Sequence, residues 1–246
     1  MVHEFAIDPA VLTTWGAFRE LVGGCSVSQG RLLSLFPRQR WCRMVVDACE
    51  TCESRTELDF ARIVERVNDE LYMAQRSWPN ARGRNYDLNK AWLVNAVEQH
   101  TLVPFNAIVS VANPGENGAV LVYDEMRDTD RRWYVKRQKK VRRRATDMAT
   151  CLGPLLEIAE HVKFVDPHFR PDAPRYVRPL REMLRLLGPG VIAEYHSEVL
   201  PGYSDTYFEQ RCENLTKDFP HLGGLAFYRW TPEKKLHERF LLTDKG

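Results

Sequence analysis

Apolar residues recur at helical intervals through most of the first hundred residues, between charged and polar positions. This spacing predicts four amphipathic helices, over residues 9–21, 37–49, 57–73 and 87–100. Two later segments, residues 105–111 and 119–123, are instead dense in apolar and β-branched residues and predict strands. The Asn-Pro-Gly-Glu-Asn-Gly segment between them predicts a hairpin loop. Residues 1–130 are therefore predicted to form a helix-rich α+β domain.

The pattern changes after residue 145, where apolar helical stripes alternate with short apolar runs. The alternation predicts helices over residues 146–161, 176–187 and 207–219, and strands over residues 162–165, 191–195, 225–230 and 237–242. Strands separated by helices form a mostly parallel sheet flanked by helices, which places residues 146–246 in the α/β class. In such sheets, ligands bind at the carboxyl ends of the strands.

Overall composition says little about partners. The 246 residues carry a formal net charge of +2, so the total charge does not indicate a polyanionic ligand. No apolar run is as long as a membrane span, and the first residues lack the basic and apolar segments of a secretory signal. The chain is therefore expected to be cytoplasmic and not to insert into membranes.

Six cysteines raise the question of a metal site. Cys49 and Cys52 have the Cys-x-x-Cys spacing of a zinc site, with Cys42 upstream, yet no second pair of Cys or His completes four ligands. Cys42 and Cys49 share a predicted helical face with Val45 and Val46, which favours thiols packed in a core. Neither a metal nor a cofactor is expected.

The most biased segment of the chain is basic and contains no acid between residues 131 and 144. One interpretation is a surface that follows a nucleic-acid backbone, with its two aromatic residues stacking on bases. The other is a solvated connector between two domains, over residues 131–145. The candidate nucleic-acid-binding residues are Arg131, Arg132, Trp133, Tyr134, Lys136, Arg137, Lys139, Lys140, Arg142, Arg143 and Arg144.

The last ten residues contain the clearest chemical signal. His237, Arg239 and Asp244 follow the pattern His-x-Arg-x-x-x-x-Asp. An imidazole can attack phosphorus, and a cation two residues further along a strand points to the same side and can neutralise phosphate oxygens. The Asp, after a short apolar strand, can anchor the local turn. The alternative interpretation is a surface strand flanked by ordinary charges.

Auxiliary candidates follow two other predicted strands. Asp166 and His168 belong to an Asp-Pro-His segment at the end of the first strand of the second half, where a site residue is favourably placed. His196 lies just beyond the next strand, near Glu194, and is a candidate auxiliary acid. A loop histidine that packs against Phe169 is the alternative interpretation of His168.

An Asp-Pro-His strand end, then helix, strand, helix, strand and the His-x-Arg-x4-Asp motif, resembles the phospholipase D superfamily. The HKD motif of that superfamily has Lys where this chain has Arg239. The resemblance covers residues 146–246 and leaves the N-terminal half unassigned. The layout is similar to the single-motif bacterial nucleases, in which two chains pair to form one site. It is also similar to the phospholipid-binding C-terminal domain of microtubule-interacting-and-trafficking proteins.

The resemblance implies a role for each motif residue. His237 would be the nucleophile that forms a phosphohistidine, Arg239 would bind phosphate, and Asp244 would support the local geometry. The second histidine would be His237 of a symmetry-related chain, so a homodimer is implied, and the mechanism needs no metal. Family domains continue beyond the motif Asp with further structure, whereas this sequence stops at Gly246.

The expected function is a metal-independent phosphodiesterase or nuclease that acts on nucleic acid, and analogy suggests a bacterial antiviral-defence or DNA-processing setting. The alternative is a non-catalytic module of the same fold that binds nucleic acid, phospholipid or a protein partner, with the N-terminal half as a docking domain. A lipid phosphodiesterase is disfavoured because no amphipathic membrane-surface helix is evident.

Overall fold

The structure is a computed structural model that describes residues 1–80, 82–127, 130–136, 138–231 and 238–245. The chain divides into two units, residues 2–138 and residues 139–246, and each contains one four-stranded sheet. The division falls inside the basic segment. Within the described ranges, none of the helices combines the length and the apolar composition that crossing a membrane requires.

The N-terminal unit is built on a wholly parallel sheet with strand order β2-β1-β3-β4. Its elements in chain order are β1 (His3–Ile7), a 3₁₀ turn (Pro9–Leu12), α1 (Trp15–Leu21), β2 (Arg31–Ser34), α2 (Trp41–Thr51), α3 (Glu57–Asn68), α4 (Glu70–Ala74), α5 (Trp92–Leu102), β3 (Ala107–Ser110), β4 (Val120–Val122) and a second 3₁₀ turn (Tyr123–Glu125). The unit is therefore α/β, and the prediction of an α+β domain is wrong.

The predicted hairpin is also wrong, because β3 and β4 run in the same direction, with Ile108 paired to Val120. All four residues of β3 are buried, as is typical of parallel strands that are covered on both faces. The Asn-Pro-Gly segment does form a local turn, in which the Asn113 side chain bonds to Asn117. The turn residues were thus recognised correctly, but they do not fix the direction in which the chain re-enters the sheet.

Helices cover both faces of this sheet. On one face, Phe5, Ile7 and Val109 pack against α1, α2 and α3. On the other face, Ala6 and Ile108 pack against α5. Cys25 and Cys49 are buried in the first of these cores, and no three His, Cys, Asp or Glu side chains of the described residues come together in a way that could hold a metal ion.

Two predicted helices are interrupted by short polar residues that cap a new helix. The helix predicted over residues 9–21 is broken at Thr14. The Thr14 hydroxyl accepts a hydrogen bond from the amide of Ala17 and so caps the start of α1. Asp69 divides the segment predicted over residues 57–73 in the same way, because its carboxylate accepts from the amide of Tyr72. Such side chains compete with the helical hydrogen bonds of the backbone.

The C-terminal unit has the predicted α/β architecture, with a mixed and mostly parallel sheet of strand order β7-β6-β5-β8. Its elements in chain order are α6 (Ala145–Leu156), β5 (His161–Val165), α7 (Pro174–Leu184), β6 (Ile192–Glu198), α8 (Asp205–Lys217), β7 (Gly224–Trp230) and β8 (Phe240–Thr243). Strands β5, β6 and β7 are parallel, and β8 runs antiparallel to β5. The antiparallel strand places the start of β8 beside the carboxyl end of β5.

The two faces of this second sheet differ. Phe164, Tyr195 and Leu241 lie on one face and contribute to a core with residues of α6, α7 and α8. The opposite face is much more accessible, and the side chains of Phe240 and Leu242 are each 49% exposed. We call this second surface the open face; it comprises Lys163, Glu194, His196, Tyr228, Phe240 and Leu242.

Candidate functional site

An ion pair joins Arg239 and Asp166 at the carboxyl end of β5. Phe240 pairs with Val165 in the antiparallel register, so the residue before β8 and the residue after β5 are neighbours. The Nε atom of Arg239 donates to Oδ1 of Asp166 over 3.0 Å. The Arg239 side chain is mostly exposed whereas Asp166 is largely buried, so the carboxylate fixes the guanidinium at the edge of the sheet.

Asp166 is itself held from two sides. Its amide donates to the carbonyl of His196 over 3.0 Å, which extends the pairing of β5 and β6 by one residue. Its Oδ1 atom also accepts from the amide of His168 over 3.1 Å, which closes the Asp-Pro-His turn. A guanidinium that donates through Nε to one carboxylate keeps two NH₂ groups for another anion. The arrangement therefore orients Arg239 through its Nε–H group.

Arg239 borders a cavity of about 630 Å³ between α6, α7 and the helix-covered face of the sheet. Arg143 and Arg175 also line it, and neither has a carboxylate within 4 Å among the residues that the structure describes. The ring of Tyr176 lies 4.7 Å from the guanidinium of Arg175 and 5.9 Å from that of Arg239. With three guanidiniums and one carboxylate on its lining, the cavity suits an anion that carries several oxygen acceptors.

Tyr195 forms part of the floor of this cavity and is buried. Burial raises the pKa of its phenol, the Asp166 carboxylate raises it further, and the charge of Arg239 opposes both effects. The phenol is therefore protonated at neutral pH and can donate a hydrogen bond, but it cannot serve as a base. Apolar side chains of α7 and the sheet complete the floor: Phe164, Leu180, Met183 and Leu241.

Asp244 lies at the opposite end of β8 from Arg239. Its Oδ1 atom accepts from the amides of Glu160 and His161 over 2.9 Å and 3.1 Å, and its Oδ2 atom is 2.8 Å from Nζ of Lys245. The carboxylate thus ties the end of β8 to the start of β5. This position agrees with a role in local geometry and places Asp244 outside the cavity that Arg239 borders.

The contacts of Asp244 predict a pH-dependent loss of stability. Burial acts to raise the pKa of Asp244, but hydrogen bonds from Lys245 and the two amides outweigh it and hold the pKa below its usual value. Because the pKa of Asp244 is lower in the folded chain than in the unfolded chain, the ionised carboxylate stabilises the fold. This stabilisation is fully present at pH values above the unfolded-state pKa of about 3.9, and it is lost as the pH falls through the folded-state pKa. Asp244→Ala should lower the free energy of unfolding at pH 7 by about 1–3 kcal/mol.

Urea titrations followed by circular dichroism at pH 7, 5 and 3 would measure this effect. The difference between the native protein and Asp244→Ala should shrink at the lowest pH, where the carboxylate begins to be protonated. Asp244→Asn is the matched control, because it keeps an oxygen acceptor for the two amides and removes the charge. A difference that stayed constant with pH would show that the charge of Asp244 contributes nothing.

The two auxiliary histidines have different positions. His196 belongs to the open face, where its Nε2 atom is 3.0 Å from Oε2 of Glu194 and its ring stacks on Tyr228 with centroids 5.0 Å apart. Tyr195 lines the cavity from the other face, so the His196 ring lies on the face away from it, and the role of His196 as an auxiliary acid stays a prediction. His168 contributes its amide to Asp166, and its side chain is exposed.

Trp133 is not available for base stacking, because it is 1% exposed. Its ring packs edge-on against Phe5 with centroids 5.1 Å apart, and the guanidinium of Arg31 lies 4.7 Å from the ring. Arg132 is also engaged: it pairs with Asp130 and donates to the carbonyl of Gly118. The first part of the basic segment thus packs onto the N-terminal unit. Burial in this core explains why a large aromatic residue occurs within a run of charged residues, and it does so better than base stacking.

The remaining basic residues are exposed. Arg142 pairs with Asp147 of α6, Nε to Oδ2, over 2.7 Å, and Arg143 lines the cavity described above. The others with exposed side chains are Arg131, Tyr134, Lys136, Lys139, Lys140 and Arg144. Arg137 and His237 lie outside the described residues, so the predictions for these two residues concern a part of the chain on which the structure gives no information.

Sequence reasoning missed three residues of the cavity: Arg175, Tyr176 and Tyr195. Two of them lie in the first turn of α7, directly after the loop that begins with Asp166. Tyr195 lies near the carboxyl end of β6, where ligand contacts are expected in α/β sheets. Both positions could be predicted from the rule that ligands bind near the carboxyl ends of strands. The sequence analysis applied that rule only to Asp166 and the two histidines.

Comparison of the chain with protein-family models, with curated proteins and with solved structures gives no match. The motif and the geometry of the cavity are therefore the features that bear on function.

Proposed function

We propose that the chain is a phospholipase-D-like phosphodiesterase that cleaves nucleic acid without a metal ion. The observation that supports this most directly is the position of Arg239. It lies two residues after His237 in the chain, is oriented by Asp166, and borders a cavity that Arg143 and Arg175 also line. A phosphodiester is an anion whose oxygens match the planar donors of arginine.

The proposed chemistry uses His237 as the nucleophile. Its imidazole attacks phosphorus, the P–N bond of a phosphohistidine forms, and the P–O bond to the leaving strand breaks. The leaving oxygen takes a proton from a second acid, which in this proposal is His237 of a paired chain. Water then attacks the phosphorus of the phosphohistidine: a new P–O bond forms, the P–N bond to His237 breaks, and the second histidine, which lost its proton in the first step, takes a proton from the water. Arg239, Arg143 and Arg175 stabilise the negative charge that increases on the phosphate oxygens during both steps.

Nucleic acid is favoured as the substrate by the basic residues next to Arg143 in the chain. Lys139, Lys140 and Arg144 are exposed and adjoin a residue of the cavity. A linear array of cations beside a phosphate site can bind successive backbone phosphates, and it makes binding strongly dependent on salt concentration. Arg142 contributes less, since it already pairs with Asp147.

The open face supports the proposal that two chains pair. Parallel sheets are normally covered on both faces. Among the described residues of this unit, helices contribute to the core on one face, and Phe240, Leu242 and Tyr228 are between 46% and 49% exposed on the other. Pairing through this face would cover those side chains. Sedimentation of the native chain and of Leu242→Asp should give a dimer and a monomer, respectively.

The activity test uses labelled single-stranded DNA, duplex DNA and RNA in the presence of a chelator. We expect the native chain to cleave at least one of them and His237→Ala to abolish cleavage. Arg239→Ala should reduce the rate by about 10²–10³-fold, the loss typical of one oriented donor to a transition-state oxyanion, and Arg239→Lys should restore part of it. Arg185→Ala is the matched control, because that exposed arginine directly after α7 pairs with Glu182 and does not line the cavity.

The same variants distinguish the alternative function. If no form cleaves any substrate, yet the native chain and His237→Ala bind nucleic acid and Arg239→Ala does not, the chain is a non-catalytic phosphate-binding module. If the native chain neither cleaves nor binds any of the three nucleic acids, the proposed function is wrong.

A further inference from the structure

A second concave site lies at the carboxyl edge of the N-terminal sheet. The strand order β2-β1-β3-β4 makes β1 and β3 neighbours, and the chain leaves them towards opposite sides of the sheet. In open parallel sheets, this point of divergence is where ligands bind. Asp8 follows β1 and Ser110 ends β3, and the Ser110 hydroxyl donates to Oδ2 of Asp8 over 2.9 Å. Polar groups therefore meet at this edge.

The adjoining cavity has a volume of about 380 Å³ and is lined by the end of β2 and the residues that follow it, and by a second set of residues further along the chain: Trp78, Asn80, Arg84, Tyr86 and Leu88. Pockets for small molecules commonly measure about 300–1,000 Å³. Tyr86 connects this cavity to the strand ends. Burial raises the pKa of its phenol, the nearby Asp8 charge raises it further, and Arg40 opposes the shift. The cavity is thus large enough for a small ligand and lies at the carboxyl end of β2, the strand next to β1.

The charges that line the cavity select for an anion. Arg84 is already paired with the buried Glu4, at 2.6 Å. Arg38 and Arg40, however, have no carboxylate within 4 Å among the described residues. They directly precede α2, whose first turn receives no hydrogen bond from a capping side chain. Two guanidiniums without a carboxylate partner among the described residues therefore adjoin a helix start that has no side-chain cap, although the amide of Trp41 donates to the carbonyl of Pro37.

The aromatic side chains of the cavity indicate which chemical group is attached to the anion in the ligand. Tyr86 is partly exposed and packs edge-on against Phe36, with ring centroids 5.5 Å apart, so its ring is held in place. Trp78 is 3% exposed, and its Nε1 donor finds no acceptor among the residues that the structure describes. A buried N–H group without a partner is rare in folded proteins. A ligand with a hydrogen-bond acceptor on a planar ring would supply one.

We propose that this cavity binds a nucleoside phosphate. The phosphate contacts Arg38, Arg40 and the start of α2, the base packs against Tyr86, and an acceptor atom of the base satisfies Trp78. The ligand is either a free nucleotide or the terminal nucleotide of a strand, because both present the same phosphate and base. The site is separate from the cavity that Arg239 borders and does not depend on the proposed cleavage activity.

Calorimetric titration of the Arg239→Ala chain tests the proposal while removing the most prominent cation of the C-terminal cavity. The probes are AMP, GMP, CMP and UMP, with the matching nucleosides and inorganic phosphate for comparison. At least one monophosphate should bind with one-to-one stoichiometry, and at least tenfold more tightly than its nucleoside or inorganic phosphate. The further changes Arg38→Ala and Arg40→Ala together should weaken this binding at least tenfold.

Arg43→Ala is the matched control, because Arg43 is an exposed arginine of the same helix that pairs with Asp47 and does not line the cavity. It should leave affinity within twofold. A 5′-phosphorylated dinucleotide separates the two sources of ligand: tighter binding than the monophosphate indicates a strand end, and weaker binding a free nucleotide. The proposal is overturned if no monophosphate binds, if inorganic phosphate binds equally well, or if the double variant retains full affinity.

Discussion

Replacing Arg84 by alanine is expected to lower the free energy of unfolding of the N-terminal unit by about 3–5 kcal/mol, the usual cost of leaving one partner of a buried ion pair alone. Arg84 and Glu4 are 1% and 2% exposed in their side chains. Two guanidinium nitrogens contact the two carboxylate oxygens, at 2.6 Å and 2.9 Å. The same guanidinium donates to the carbonyl of Val103 and lies 3.8 Å from the ring of Phe105.

Without Arg84, the Glu4 carboxylate would remain in the sheet with Arg82, 3.7 Å away, as its nearest cation among the described residues. Urea unfolding followed by tryptophan fluorescence reports on this unit, because five of the six tryptophans belong to it: Trp15, Trp41, Trp78, Trp92 and Trp133. Arg82→Ala is the matched control and should cost less than about 1 kcal/mol, as expected for a longer and more exposed pair. Equal losses for the two variants would contradict the assigned role of Arg84.

Replacing Trp133 by alanine should also destabilise the N-terminal unit by about 3–5 kcal/mol, the range found when a large buried aromatic side chain is removed. Trp133 fills the space between Phe5 and Arg31. Around it, the segment is attached to the sheet by hydrogen bonds from Asn106 to the carbonyl of Arg132 and from Arg132 to the carbonyl of Gly118. The cavity left by alanine could not collapse without displacing these contacts.

Tyr134→Ala is the natural comparison, because this neighbouring aromatic side chain is 40% exposed. It should change the free energy of unfolding by less than about 1 kcal/mol, as surface substitutions usually do. Affinity for single-stranded DNA, measured under conditions where each variant is folded, should be unaffected by Trp133→Ala. If Trp133→Ala left the free energy of unfolding unchanged and weakened DNA binding, Trp133 would act by stacking on bases and not by packing in the core.

Much of the fold follows from local patterns in the sequence. The alternation of helices and strands after residue 145 predicts the order of the elements and the α/β class, because the apolar stripe of each helix must face a sheet. The helix over residues 57–73 is found in the predicted place, although the capping side chain of Asp69 divides it in two. The sequence also identifies Arg239 and Asp166 as candidate site residues, and the pairing of β8 with β5 brings them together in an ion pair.

Which strands pair, and in which direction each one runs, is harder to predict from the sequence than the order of the elements. Strands β1 and β2 were not predicted. The charged Glu4 in β1 argues against a buried strand, and it is tolerated there because Arg84, eighty residues further along the chain, pairs with it. The direction of β4 was misread for a related reason. Turn residues describe how a loop bends, whereas the pairing of β4 with β3 depends on which faces the helices cover.

The amino-acid sequence by itself determined the helical periodicities, the α/β character of the second half and the spacing of His237, Arg239 and Asp244, since each depends on residues close in the chain. Only the tertiary structure separated Arg239 from Asp244 by the length of β8, placed His196 on the open face and buried Trp133. It also brought Arg143 and Arg175 to the cavity of Arg239. The physical reason is that a side chain's role depends on contacts with residues distant in the chain, and local patterns do not encode which distant residues will meet.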